Sequence, residues 1–439
     1  MANIFKAYDI RGIYGKTLDE ETAHKIGRAF VTFLKCRKVV VGRDMRPHSE
    51  PLFKALARGL NEQGADVIDL GLCSTPMSYY ANGKLVADAG IMITASHNPP
   101  EWNGFKMCRE KAIPISGATG IQDLERIVRD EAFDPPAAKP GNITTYDIVS
   151  EYCDHIRQFA DLQGPVKVAI DYANGMGIYE GRTLTGVLDI HPLFDELDGS
   201  FPNHEANPLD LETFEPLQEV IRSGGYDFGI YFDGDADRAG FTDEQGNIVS
   251  NDMITALIAE AILEKEKGVV FYDLRSSWAV KEVIEEGGGE PRKSRVGHAF
   301  IKQQMREANA IFAGELSGHY YFRENYYTES AALAAIYVAN LISHTGKPLS
   351  ELIRPIKRYH ASGEINSEVH DAEALFQKLR ETYPDAKLLD LDGVSFEFDD
   401  WWFNVRPSNT EPLVRLNLEA KTKEMMEQKR DEVLALIRK

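Results

Sequence analysis

Cysteine is scarce in this chain of 439 residues. There are four, Cys36, Cys73, Cys108 and Cys153, and none forms a CxxC pair. That spacing fits neither a zinc site nor a disulfide framework, so reduced thiols are expected. Basic charge is also short. Lys and Arg number 49 against 69 Asp and Glu, a net charge of −20. A general binder of nucleic acid or acidic membrane needs a basic face, and both classes are set aside. An anionic ligand would have to be held by a compact cluster of Arg, Lys and His that overcomes the field locally. No apolar run is long enough to span a bilayer. The opening MANIFKAYDIRG lacks the apolar stretch of a signal peptide. A cytoplasmic protein with neither nucleic-acid nor membrane partners is therefore predicted. Nothing in the sequence decides between monomer and homodimer.

What remains is ordinary globular composition, with 43% apolar and 27% charged residues. The length calls for several domains. Short β-branched runs alternate with amphipathic stretches. The run 39–41 precedes a helix predicted over 49–64, and strands follow at 67–72 and 91–94. The Pro-rich stretch 133–142 reads as a linker. A second round places strands at 166–171 and 228–232 around a helix at 211–225. A third runs from a helix at 251–268 through strands at 269–273 and 310–314. Such βαβ alternation predicts mostly parallel sheets covered by helices. After about residue 358 the pattern changes. A helix at 372–384, strand-like runs within 388–406 and a closing helix suggest a small α+β domain. The predicted organisation is three mixed-sheet α/β domains of similar topology (1–141, 142–246 and 247–357) and a smaller α+β domain (358–439).

Ligands of parallel α/β units bind at the carboxyl ends of strands. Four polar loops sit there. Asp233, Asp235 and Asp237 alternate with small residues, so a tight loop can aim three carboxylates at one hard cation. A solvated acidic turn is the plain alternative. An EF-hand is disfavoured, because Arg238 stands at the sixth position, where the loop needs Gly, and the preceding segment is strand-like. The haloacid-dehalogenase pattern DxDxT/V fails at Asp237. Mg²⁺ commonly takes a few carboxylates plus a phosphate oxygen, and Arg238 lies beside them as a second positive group.

Ser96 and His97 occupy another of these loops, with Lys106 close behind. The hydrolase elbow GxSxG is absent, which lowers the serine-hydrolase reading. A serine that accepts a phosphoryl group gains a charge of about −1.5 to −2 and needs cations around it. The metal loop, His97 and Lys106 can supply them. Glu315, Ser317 and His319 form a third loop suited to sugar hydroxyls. Arg406, Ser408, Asn409 and Thr410 form a fourth, suited to gripping a phosphate that does not react.

The motifs TASHNP (94–99), DGDADR (233–238), GELSGH (314–319) and RPSNTEP (406–412), with FKAYDIRG (5–12), resemble the α-D-phosphohexomutase superfamily along nearly the whole chain. The resemblance implies four domains around a central cleft, one loop from each. It implies that Ser96 is the phosphoserine and that Asp233, Asp235 and Asp237, with Ser96, hold Mg²⁺. Glu315, Ser317 and His319 would read the sugar, and Arg406 to Thr410 would bind the distal phosphate. Tyr8 and Arg11 match positions near the transferring phosphate, and Lys106 and His298 match positions tied to proton transfer or substrate orientation. Arg275 stands where bacterial relatives often carry Lys. The sugar loop and the C-terminal part look most like bacterial phosphomannomutases, including those that also act on glucose phosphates. Leu316, where phosphoglucosamine mutases usually carry Gln, argues against that branch. The implied reaction interconverts mannose 1-phosphate and mannose 6-phosphate through a hexose 1,6-bisphosphate, an intramolecular phosphotransfer of the isomerase class.

Overall fold

The computed structural model describes residues 4–407 and 413–438. The first sheet contains β1 (Ile10–Ile13), β2 (Lys38–Arg43), β3 (Asp66–Leu72), β4 (Ala89–Ile93), β5 (Trp102–Arg109) and β6 (Ile143–Thr145), in the order β1-β5-β4-β2-β3-β6. The second contains β7 (Lys167–Asp171), β8 (Asp189–Leu193), β9 (Phe228–Phe232), β10 (Ala239–Thr242) and β11 (Ile248–Val249), in the order β11-β10-β9-β7-β8. The third contains β12 (Val269–Asp273), β13 (Glu290–Ser294), β14 (Phe312–Gly314), β15 (Tyr320–Phe322) and β16 (Thr328–Glu329), in the order β13-β12-β14-β15-β16.

One plan underlies all three. A first strand (β2, β7 or β12) is flanked by two parallel strands, reached through helical connections. A fourth strand (β5, β10 or β15) then returns antiparallel to the third. The chain thus crosses to one side of its first strand and then to the other, which makes a topological switch point. The loop between the third and fourth strands is equivalent in each unit. These loops carry Ser96, Asp233–Arg238 and Glu315–His319.

Burial explains why these strands read as continuous apolar runs. All five residues of β4 and all five of β9 are buried, because both faces of the sheet are covered. One hydrophobic core runs through the first three units. It includes Met77 and Tyr80 from the first, Tyr152 and Met176 from the second, and Leu257 and Ala335 from the third. The helices Asn251–Lys265 and Ala331–Thr345 are apolar around most of their circumference because they lie inside that core.

The fourth unit has a core of its own. β17 (His360–Glu368), β18 (Lys387–Leu389), β19 (Val394–Glu397), β20 (Trp401–Pro407) and β21 (Leu413–Ala420) form an antiparallel sheet ordered β17-β21-β20-β19-β18. Successive side chains of a strand alternate faces. Trp401, Phe403 and Val405 enter this core with the helices Ala372–Thr382 and Lys423–Ile437. Trp402, Asn404 and Arg406 therefore project from the other face.

Two segments differ from expectation. The helix predicted over 211–225 is a 3₁₀ turn, Leu211–Phe214, followed by an α-helix, Glu215–Arg222. Pro216 explains the break, since it suits the first turn of a helix but not its interior. The stretch 133–142 does not hang free. The Ala137 N–H donates to the Glu62 carbonyl (2.8 Å) and the Gly141 N–H to the Asn61 carbonyl (2.9 Å). The chain then adds β6 to the first sheet, parallel to β3.

Candidate active site

Ser96 follows β4 and is buried, with φ of 52°. A non-glycine residue in this left-handed region costs on the order of 1–3 kcal/mol and persists only where its surroundings hold it. Arg46 provides the hold. Its guanidinium donates to the carbonyls of Ser96 (3.0 Å), Asn98 (2.7 Å), Pro99 (2.7 Å) and Trp102 (3.0 Å). Arg46 is itself fixed by Asp44 at 3.2 Å. Arg11 reaches the same loop, donating to the Ala95 carbonyl at 3.3 Å and to Asn98 Oδ1.

The acidic loop closes on Ser96 from the second unit. Ser96 Oγ donates to Asp233 Oδ2 at 2.9 Å. Gly234 permits the approach, since a Cβ there would lie 2.4 Å from the Ser96 carbonyl oxygen. Asp233, Asp235 and Asp237 are buried, and one carboxylate oxygen from each lies within 4.8 Å of the others. Lys106 Nζ donates to Asp235 Oδ2 (2.6 Å) and to Asp237 Oδ2. Asp235 Oδ1 and Asp237 Oδ1 are buried with no hydrogen-bond partner among the described residues. Asp237 Oδ1 faces His319 Nε2 at 3.3 Å, whereas Asp235 Oδ1 is orphaned; an orphaned carboxylate oxygen is costly unless a cation takes it, so this donor set fits a hard metal ion.

Electrostatics sort the ionisable groups. Burial pushes the Asp233 carboxyl up, and Asp235 and Asp237 beside it add to the effect. Burial acts against ionised Asp237 too, but Lys106, His319 and Arg238 hold it well below the usual range. Lys106 stays firmly protonated despite burial, because the three aspartates surround it. His97 corrects an expectation. Burial, with Arg238, Arg11 and Lys106 nearby, keeps its imidazole neutral, so it adds no positive charge beside Ser96. Its Nδ1 lies 3.2 Å from Ser96 Oγ as a hydrogen-bond partner. Positive charge around the serine comes instead from Arg11, Lys106 and Arg238, whose Nε is 3.8 Å from Asp233.

The third loop faces this cluster. His319 Nε2 is 3.3 Å from Asp237 Oδ1, and its Nδ1 is 2.9 Å from Ser317 Oγ and 3.3 Å from Glu315 Oε2. Burial disfavours the imidazolium, yet Asp237 and Glu315 raise its pKa to about 9. Glu315 accepts from Tyr321 Oη and from the Gly297 N–H (3.0 Å). Against burial, these donors and His319 bring Glu315 down to about 2. His298 is held neutral by burial and by Lys302, and its Nδ1 has no hydrogen-bond partner among the described residues. Tyr8 lies against the third unit, its ring centroid 5.8 Å from that of His298 and its hydroxyl 3.3 Å from the Val296 carbonyl. Gly297 leaves it room, as a Cβ there would stand 2.8 Å from Tyr8 Cζ.

At the far end, Arg406 on β20 donates to Glu364 at 2.9 Å. The same carboxylate lies 3.3 Å from Arg415 and 3.5 Å from Arg275. Arg275 is also paired with Asp273 at 2.8 Å, and Asp273 accepts from the Leu316 N–H at 2.7 Å. Three guanidiniums thus share one glutamate, leaving net positive charge between the third and fourth units. Ser408, Asn409 and Thr410 lie outside the described residues. Arg46, Glu364 and Asp273 were not singled out from the sequence. They act on loops distant in the chain, and no local motif marks them.

Comparison with known proteins agrees with this arrangement. Family descriptions of phosphoglucomutase/phosphomannomutase match in four consecutive pieces. The alpha/beta/alpha domain I matches residues 2–135, domain II 150–246, domain III 250–359 and the C-terminal domain 364–436. A phosphomannomutase of Methanocaldococcus jannaschii is 41% identical, covering 99% of this chain and 98% of the relative. One from Escherichia coli is 40% identical, with 99% of each chain covered. The crystal structure of a phosphoglucomutase/phosphomannomutase family protein from Burkholderia thailandensis superposes with a TM-score of 0.91 at 32% identity, covering 99% of this chain and 96% of the other. Three repeated α/β units that present a serine, a three-carboxylate cluster and a polar loop to one another define a phosphohexomutase, and the chain belongs to the phosphoglucomutase/phosphomannomutase family.

Proposed function

We propose that the protein interconverts mannose 1-phosphate and mannose 6-phosphate, with Ser96 as the covalent phosphoryl carrier and a 1,6-bisphosphate as intermediate. The observation that carries this reading is the 2.9 Å contact of Ser96 Oγ with a buried three-aspartate cluster. Mannose is favoured because the relatives at about 40% identity are phosphomannomutases.

Asp233, Asp235 and Asp237, with an oxygen of the phosphorylated Ser96, would hold Mg²⁺, which supplies charge neutralisation for the transferring phosphoryl group. In the first half-reaction the phosphorus–Oγ bond of Ser96 breaks as a sugar hydroxyl oxygen forms a new bond to phosphorus. That hydroxyl loses its proton to a neutral acceptor, a role we assign to His298, whose imidazole burial and Lys302 hold neutral. The bisphosphate then turns over, and the second half-reaction runs in reverse from its other end, returning the phosphoryl group to Ser96. Arg11, Lys106 and Arg238 screen the spreading charge. Glu315, Ser317 and His319 accept and donate to sugar hydroxyls. Arg406 and Arg275, with Ser408, Asn409 and Thr410, grip the idle phosphate and keep the sugar registered in both orientations, and Tyr8 lies beside the transferring phosphate. The separate core of the fourth unit suits it to close over the substrate and exclude water. Four buried free thiols suit a reducing cytoplasm.

The test supplies mannose 1-phosphate with a trace of hexose 1,6-bisphosphate and follows both products. Mannose 6-phosphate without orthophosphate is expected. Orthophosphate as the main product would identify a hydrolase instead. Glucose and glucosamine phosphates assayed beside it set the sugar preference.

A further inference from the structure

Asp235 is held from the first unit through its main chain and its side chain by one residue, Thr75. Thr75, in the first unit, donates its hydroxyl to Asp235 Oδ2 at 2.6 Å. Its main-chain N–H donates to the Asp235 carbonyl at 3.0 Å. Both residues are fully buried. The two bonds set the main chain and the side chain of Asp235 together. The Thr75 hydroxyl and Lys106 Nζ (2.6 Å) together occupy Oδ2 and leave Oδ1, on the same carboxylate, with no hydrogen-bond partner among the described residues.

Thr75 is itself held. It begins the helix Thr75–Lys84, whose N-cap is Ser74, and Ser74 Oγ accepts from the Met77 N–H at 3.2 Å. The Ser74 hydroxyl donates to Glu180, a fully buried residue of the second unit. No cation among the described residues pairs with Glu180. Its second oxygen accepts from Tyr152 Oη at 3.1 Å, and Tyr152 Oη lies 3.4 Å from Ser330 Oγ in the third unit. Burying a carboxyl among hydroxyls is expensive unless every partner is in place. A buried polar chain therefore links the three units and ends on one oxygen of Asp235.

We infer that Thr75 is a positioning residue for the metal site: it selects which oxygen of Asp235 faces the cation, and Ser74 and Glu180 lock it in place. The inference rests on the reading of Asp233, Asp235 and Asp237 as metal ligands. A hydroxyl that fixes a ligating carboxylate acts from outside the coordination sphere, and removal of such a partner typically lowers metal affinity about 10- to 100-fold.

The experiment measures Mn²⁺ binding to the full chain by calorimetry and by electron paramagnetic resonance, alongside kcat and KM. Thr75→Val keeps the shape and removes the hydroxyl. It should weaken Mn²⁺ binding about tenfold or more, with KM for the hexose phosphate within about twofold of wild type. Thr75→Ser restores the donor and should bind Mn²⁺ within about twofold of wild type. Glu180→Leu, which never touches the aspartates, should weaken Mn²⁺ binding in the same direction. Adding it to Thr75→Val should give less than the product of the two single effects, because both act through one chain. Unchanged Mn²⁺ affinity in folded Thr75→Val overturns the inference, as does a Thr75→Ser protein as weak as Thr75→Val. Should Thr75→Val not fold, the Ser and Leu variants decide by the same criteria. Asp235→Ala serves as the control. Loss of Mn²⁺ binding there with none in Thr75→Val sinks this inference alone, whereas no loss in Asp235→Ala sinks the metal-site reading with it.

Discussion

Ser96 Oγ and Asp233 Oδ2, 137 positions apart in the chain, meet at 2.9 Å in the buried seam between the first and second units. A carrier hydroxyl and a carboxylate this close repel once the serine bears a phosphate, unless a cation lies between them. Chelation by EDTA should therefore abolish turnover, and added Mg²⁺ should restore it. Circular dichroism should change little, because Lys106 bridges Asp235 and Asp237 from within the protein. Full activity in the chelated enzyme would count against the metal site.

Arg46 holds the serine loop through four carbonyls, a span that one lysine ammonium with three donors cannot reproduce. Arg46→Lys should destabilise the protein by about 2–4 kcal/mol. It should also lower kcat about tenfold or more while KM moves less, since the loop and not the substrate grip is loosened. Chemical denaturation and steady-state kinetics read the two effects separately. A wild-type kcat in Arg46→Lys would show that the left-handed conformation of Ser96 does not depend on this clamp.

Glu180 gives the fold a pH signature. Burial raises its carboxyl from 4.5 to about 7, even though the Ser74 and Tyr152 hydroxyls oppose the rise. The folded state therefore binds a proton more tightly than the unfolded chain does. The stabilisation from this residue is complete below pH 4.5 and is lost as pH rises towards about 7. At its largest the effect is on the order of 3 kcal/mol. Glu180→Gln carries no titratable group, so its melting temperature relative to wild type should rise between pH 4.5 and about pH 7. Parallel melting curves across that window would mean that Glu180 stays ionised.

Arg406 offers a guanidinium at the far end of the site and shares Glu364 with Arg275 and Arg415. Removing one charged donor to a phosphate should weaken substrate binding by about 1.5–3 kcal/mol. Arg406→Ala should raise KM for mannose 1-phosphate about tenfold or more, and the level of phosphoenzyme formed from the bisphosphate at saturation should stay near wild type. A fall in kcat with unchanged KM would place Arg406 at the reacting phosphate instead.

Much of this architecture was readable before any coordinates. Apolar runs such as 228–232 and 269–273 coincide with β9 and β12 because buried central strands leave little else to read. The three loops that follow equivalent strands were visible as polar kits with different chemistry. Other features left no local trace. β6 is exposed along its length and carries no apolar pattern. Thr75 opens the helix Thr75–Lys84 and reads as an ordinary helix start, so its bond to Asp235 is not legible locally. Glu180 and Glu364 act across units, and Arg46 acts within the first unit on carbonyls distant in the chain. Burial, and after it three cations gathered from two units, holds His97 neutral, and a serine–histidine pair in sequence says nothing about either.

The most direct measurement concerns Ser96 itself. The purified enzyme, incubated with hexose 1,6-bisphosphate and quenched, is digested and examined by mass spectrometry. One phosphate on the peptide containing Ser96, no phosphate in the Ser96→Ala variant, and loss of turnover in that variant even with bisphosphate supplied are expected. Phosphate on a different residue, or full turnover by Ser96→Ala, would contradict the account.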